Sequence, residues 1–170
     1  MKKNQLSPRL RRLIRRGERE ITRLKRLRLP YKLGGGRWWN GLRSGTTANG
    51  PGDCSWLAMH ICDVLGIHLK DPAGNTVSLA QEGEEGTSPY FTLFIKNPPG
   101  EVENEHIILR FRRRRRLFGL LPKFKWAECG GSDNPTASGG PAWFRPTEER
   151  MAEFPIQRHF PELDRLARDN

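Results

Sequence analysis

The sequence predicts an α+β domain in which a cysteine-bearing helix packs on a small antiparallel sheet, with a basic helix ahead of it. Three observations lead there. The stretch from Asp53 to Gly66 has a start signal, helical apolar spacing and a closing glycine. Short apolar runs follow at Tyr90 to Ile95, His106 to Phe111 and Phe124 to Glu128. Helix first and strands after is the order expected of a helix laid on an antiparallel sheet.

The elements follow in chain order. Residues 7–29 read as one helix, with Ser7 as cap and Pro8 at the first helical position. Leu6, Leu10, Leu13, Ile14, Ile21, Leu24 and Leu27 fall close to helical period, and the remaining face is mostly Arg and Lys. Gly17 weakens this helix by about 1 kcal/mol, and Pro30 ends it. Residues 34–51, opened by Gly34-Gly35-Gly36, read as linker and loop. The body, 52–170, begins with the helix that carries Cys54 in its first turn. A Gly- and Glu-rich loop spans 71–89. The first strand is broken by Asn97-Pro98-Pro99-Gly100, and the basic run Arg112 to Arg116 sits near a hairpin tip. A long loop covers 130–141. A short helix is expected around Glu148 to Phe154, and a tail helix from Pro161.

Charge is distributed unevenly. Residues 1–33 hold thirteen basic and two acidic side chains, and residues 34–170 hold seventeen of each sign. The whole excess of +11 therefore lies in the basic segment, and a domain with a basic face spread over its whole surface is disfavoured. Two readings of the segment stand. Its apolar stripe, residues 7–29, packs on its own body or docks on other chains, or its cations meet phosphates or another polyanion. No apolar run approaches the ~18 residues of a membrane span, and no secretory signal peptide is recognisable. Three cysteines, an odd number at irregular spacing, argue against a disulfide framework and direct attention to thiol chemistry.

Cys54 is the candidate nucleophile, because a thiol in the first turn of a helix feels the positive end of the helix dipole. His106, opening a strand, is the candidate base. Glu128, ending the returning strand, is the candidate group to orient the imidazole, with Asp133 and Asn134 in the next loop as alternatives. Main-chain N–H groups at the helix start would hold an oxyanion. Cys62, among Ile61, Val64 and Leu65, reads as core, and Cys129 as packing or a spectator. His60 and His68 flank the helix as surface or core residues. Cys54, His60, Cys62, His106 and Cys129 are metal-ligand types, but their spacings match no common zinc site, so neither metal nor cofactor is expected.

Gly52-Asp53-Cys54-Ser55 opening a helix, His106 opening a strand and a second strand ending near an acidic residue resemble the NlpC-like cysteine peptidases. The resemblance implies a compact papain-like fold and cleavage of peptide bonds in the stem peptides of bacterial cell wall. It also implies catalysis by Cys54, His106 and Glu128, with Asp53, Ser55 and Trp56 lining the site. Gly130-Gly131, Gly139-Gly140-Pro141-Ala142-Trp143-Phe144 and His159-Phe160-Pro161 are similar to the end of such domains encoded by phages of actinobacteria, found among tail-associated and lysis-associated proteins. A virion, or the host cytoplasm before release to the wall, is the implied location. The likeness spans about residues 44–163. Two departures stand out: Trp56 replaces the small Gly that usually follows the Ser, and the third residue, often His, is Glu128. Trp56 favours the alternative of a non-catalytic virion protein on a degenerate peptidase scaffold. A third reading, nucleic-acid association through residues 9–32, is disfavoured because most aromatics lie outside the basic segment.

Overall fold

The computed structural model describes residues 7–32, 52–71, 75–96, 105–112, 124–130, 134–136 and 139–168, with the backbone alone of 38–39 and 42–43. Most of the 34–51 linker, residues 113–116 of the basic run, and Gly131 and Asp133 lie outside the described residues.

Helix α1 (Pro8–Arg26) starts as its sequence dictates. The Ser7 hydroxyl accepts from the Leu10 N–H at 3.2 Å, and Pro8 opens the first turn. Leu10, Ile14, Gly17, Ile21 and Leu24, spaced three or four residues apart, form the buried stripe. Gly17 is a site of close approach: a methyl there would stand 3.0 Å from Leu65 Cδ2 and from Phe111 Cε1. Of the two readings of the basic segment, packing on its own body is the one seen for its apolar stripe, which belongs to the main core.

Two short strands, β1 (Trp38–Trp39) and β2 (Leu42–Arg43), pair antiparallel where only loop was expected. Helix α2 (Cys54–Val64) is capped by Asp53, whose carboxylate accepts from the Trp56 N–H at 2.7 Å; Gly66, at φ 74°, follows its end. Within the expected 71–89 loop stand a one-turn helix, α3 (Thr76–Leu79), and β3 (Glu84–Glu85). A reciprocal pair of hydrogen bonds between Asn75 and Ser78 closes the start of α3.

The sheet is six-stranded and antiparallel. Its strands are β3, β4 (Phe91–Lys96), β5 (His106–Arg112), β6 (Phe124–Glu128), β7 (Ala142–Phe144) and β8 (Ile156–His159), in the order β3-β8-β4-β5-β6-β7. Helices α4 (Glu148–Ala152) and α5 (Pro161–Leu166) complete the chain. The architecture is thus α+β, as expected, with β3, β7 and β8 added to the three anticipated strands.

Alternation along the strands makes two faces. Phe91, Leu93, Ile95, Ile107, Leu109 and Phe111 turn to α1 and α2 in the main core. Phe94 and Ile108 turn the other way and meet Phe154, with Trp126, Phe144 and Met151 around them. Strand β4 is buried on both faces, which is why Phe91 to Ile95 is apolar at every position but Thr92.

Candidate active site

The N-terminus of α2 lies against the beginning of β5. Asp53 fixes this end by accepting from the Trp56 N–H and from the Ser55 hydroxyl, both at 2.7 Å. Cys54, the first helical residue, is 4 % exposed. Its sulfur is met by the main chain of Ile107, the main chain of Ser55 and the Thr76 hydroxyl. These favour the thiolate, but burial and then the Asp53 carboxylate outweigh them and push the thiol up to about 12. The helix-dipole argument from sequence thus meets a stronger opposing effect, and the resting group is a neutral thiol.

His106 and Glu128 meet. Glu128 stands opposite Ile108 in the ladder, so it is diagonal to His106 on the same sheet face. The His106 Nε2 lies 3.1 Å from Glu128 Oε2, and its ring meets Phe154 edge-on at 6.0 Å. The imidazole is 7 % exposed and the carboxylate residue 0 %. Glu128 Oε1 is buried without a hydrogen-bond partner.

The sulfur is not joined to this pair. Cys54 approaches β5 at Ile107, whose side chain belongs to the core shared with α2. The neighbouring His106 shares the opposite face with Ile108, and no hydrogen bond links Cys54 to His106 among the described residues. The fold therefore brings two of the three expected catalytic residues into contact and sets the third beside the next residue of the same strand.

Asp53, Ser55 and Trp56 are all turned inward. Asp53 and Ser55 build the helix start. Trp56 lies on Gly52, where a methyl would come within 2.1 Å of Trp56 Cε3, and stacks on His60 with ring centres 5.5 Å apart. His60 Nε2 in turn lies 2.7 Å from Glu20 of α1. The bulky Trp56 is thereby accommodated between Gly52 and His60. Asn134, the alternative orienting group, donates instead to the carbonyls of Gly130, Gly139 and Gly140, clamping its own loop.

Sequence reasoning missed Tyr31. It bridges to Gly52 in a parallel pairing, and the Lys32 N–H donates to Gly52 O at 3.1 Å. Its ring covers Gly130, where a methyl would stand 2.6 Å from Tyr31 Cε2; the φ of 83° at Gly130 suits glycine as well. Burial and the neighbouring Cys54, Asp53 and Cys129 push the Tyr31 hydroxyl up to about 12. Cys129 donates to Gly52 O at 3.5 Å, and burial raises its thiol too. The signal in the sequence was the Pro30-Tyr31 step between a basic helix and a glycine-rich stretch, which carries no chemistry until Gly52 and Gly130 fold against it.

Among the described residues no three His, Cys, Asp or Glu side chains stand close enough to hold a metal ion. No helix among them is long and apolar enough to cross a membrane. No family model and no curated protein matches the chain.

Proposed function

We propose that the chain is a phage-encoded cysteine peptidase of the NlpC-like, papain-type kind, hydrolysing amide bonds in bacterial cell-wall peptides. The observation that carries this reading is the convergence of the capped α2 start, with Cys54, on the β5 start, where His106 is paired with Glu128. In the reaction His106 takes the Sγ proton as the sulfur adds to the amide carbon. Main-chain N–H groups at the α2 start face the oxygen that becomes negative. The amine leaves with the proton returned by His106, and water hydrolyses the thioester by the same steps in reverse order. Glu128 holds the imidazole and stabilises its charged form.

Because the thiol is held up by burial and Cys54 meets β5 on the face opposite His106, proton transfer to His106 belongs to a substrate-bound state in which the α2 start or the β5 start has rearranged. Apo geometry in such sites is commonly loose. The enzyme would reach its wall substrate from a virion or from the host cytoplasm on release. The test is a mass-spectrometric digest of actinobacterial peptidoglycan. New muropeptides are expected from wild type and none from Cys54→Ala, with unchanged circular dichroism. Equal products from both proteins would overturn the assignment.

A second reading is a non-catalytic virion protein on the same scaffold. It is favoured by the raised Cys54 thiol and the missing Cys54–His106 hydrogen bond. It predicts no muropeptides from either protein on a wall that a control enzyme cleaves.

A further inference from the structure

Helix α1 carries a second stripe besides its apolar one. Arg9, Arg12, Arg16, Arg19, Arg23 and Arg26 recur at alternating intervals of three and four residues, so they share one helix face. The buried stripe of Leu10, Ile14, Gly17, Ile21 and Leu24 lies on the other side of the helix. Arg9, Arg12, Arg16, Arg19 and Arg26 are exposed, and Arg23 is half-buried.

We infer that this arginine row binds the phosphate backbone of a nucleic-acid duplex. The charge argument is local. Both carboxylates of α1 are already engaged, Glu18 with Lys125 at 3.2 Å, and Glu20 with Arg23 at 2.6 Å and His60 at 2.7 Å. Arg9, Arg12, Arg16, Arg19 and Arg26 make no ion pair among the described residues. The apolar stripe anchors the helix in the main core, so these five guanidiniums stand on a fixed scaffold. Arginine's planar fork suits phosphate oxygens better than an ammonium does.

The shape of the row decides the kind of polyanion. From Arg9 to Arg26 it covers roughly 26 Å of straight helix. A duplex, stiff over about 50 nm, offers a ready-made line of phosphates along that length, whereas a flexible anionic polymer must first be straightened at an entropic cost. An anionic lipid surface fits less well. A helix lying in such a surface buries its apolar face there, and the apolar face of α1 is spent on the core. The same anchoring keeps α1 from sinking into a groove to reach base edges, so the contact is with the backbone. Phosphate contact needs no aromatic ring, and the scarcity of aromatics in the basic segment is then no objection.

Fluorescence anisotropy of the full chain with a labelled duplex of about 20 base pairs, about 68 Å long, tests this. The single strand of the same length, inorganic polyphosphate and phosphatidylserine vesicles serve as competitors. Duplex affinity should fall with salt at a logarithmic slope of about −4.5, as five phosphate contacts require. The duplex should bind about tenfold more tightly than the single strand at 0.1 M salt, the effect over five contacts of slopes of about −0.9 and −0.7 per contact. Arg12→Gln with Arg16→Gln and Arg19→Gln should reduce the slope by about 3 and weaken binding at least tenfold, with thermal melting unchanged because Gln and Arg have similar helix propensity. Lys25→Gln with Lys70→Gln and Arg168→Gln removes the same charge from exposed positions off the row and should leave the slope as it is. Equal loss in both triple variants would show attraction to net charge alone and overturn the inference. So would equal competition by single strand, polyphosphate or vesicles. Binding is read without turnover, so its failure leaves the peptidase reading untouched, and the competitor series needs no substituted protein.

Discussion

Cys54 sits under two opposing influences, and their balance sets its reactivity. The α2 dipole and three nearby donors favour the thiolate, but burial and Asp53 raise the thiol to about 12. Iodoacetamide should therefore label it slowly at neutral pH, with a rate that climbs about tenfold per pH unit and shows no plateau near 7, because the thiolate is the reacting form. Peptide mapping across pH checks this; a neutral plateau lost in His106→Ala would instead reveal a resting thiolate–imidazolium pair. The neighbouring Gly52 makes a second point at this scale. A methyl there meets the buried Trp56 ring at 2.1 Å, so Gly52→Ala should destabilise the fold by about 2 kcal/mol through forced repacking, read by urea unfolding. The identities of Cys54, His106 and Glu128 as candidates were legible in the sequence. The depth of Cys54 and the packing of Tyr31 on Gly52 and Gly130 were not, because both depend on segments distant in the chain.

Helix α1 is the element whose role the structure changes most. Its composition suggests an appendage, yet Ile21 and Leu24 are fully buried among α2 and the sheet. Ile21→Ala should cost about 3 kcal/mol, the usual price of a large-to-small change in a packed core, visible as a lowered thermal midpoint. An appendage would melt without such an effect. Strands β4, β5 and β6 were legible because buried runs of Phe, Ile and Leu carry their own signal. Strand β8 was not: Ile156–His159 has one large aliphatic residue and becomes a strand because β3 and β4 flank it. Strand β7 is three residues long and likewise owes its form to its neighbour β6.

For the molecule as a whole, pH sensitivity concentrates where α1 meets α2. Hydrogen bonds from Arg23 and then His60 hold the Glu20 carboxyl at about 2, against 4.5 when unperturbed. A depressed carboxyl stabilises the fold fully above 4.5, and that contribution is lost as pH falls towards 2. Glu20→Gln should thus melt below wild type at neutral pH, and the gap should close in thermal scans taken below about pH 3. The alkaline limb has the opposite cause. Buried Cys54 and Tyr31 keep their protons to about 12, while their unfolded counterparts lose them near 9.0 and 10.0, so stability should decline as pH rises through that window.

By itself the sequence determined the α+β class, the capped α2 with Cys54 at its first position, and a hairpin with His106 opening one strand and Glu128 ending the next. These are local properties: periodicity, a capping Asp, and runs of apolar residues long enough to bury themselves. Tertiary structure alone decided that α1 belongs to the core, that Tyr31 lies against Gly52 and Gly130, and that His106 and Glu128 meet on the sheet face opposite Cys54. Each of those depends on close contact between residues far apart in the chain, and the burial that such contacts create is what shifts the Cys54 proton.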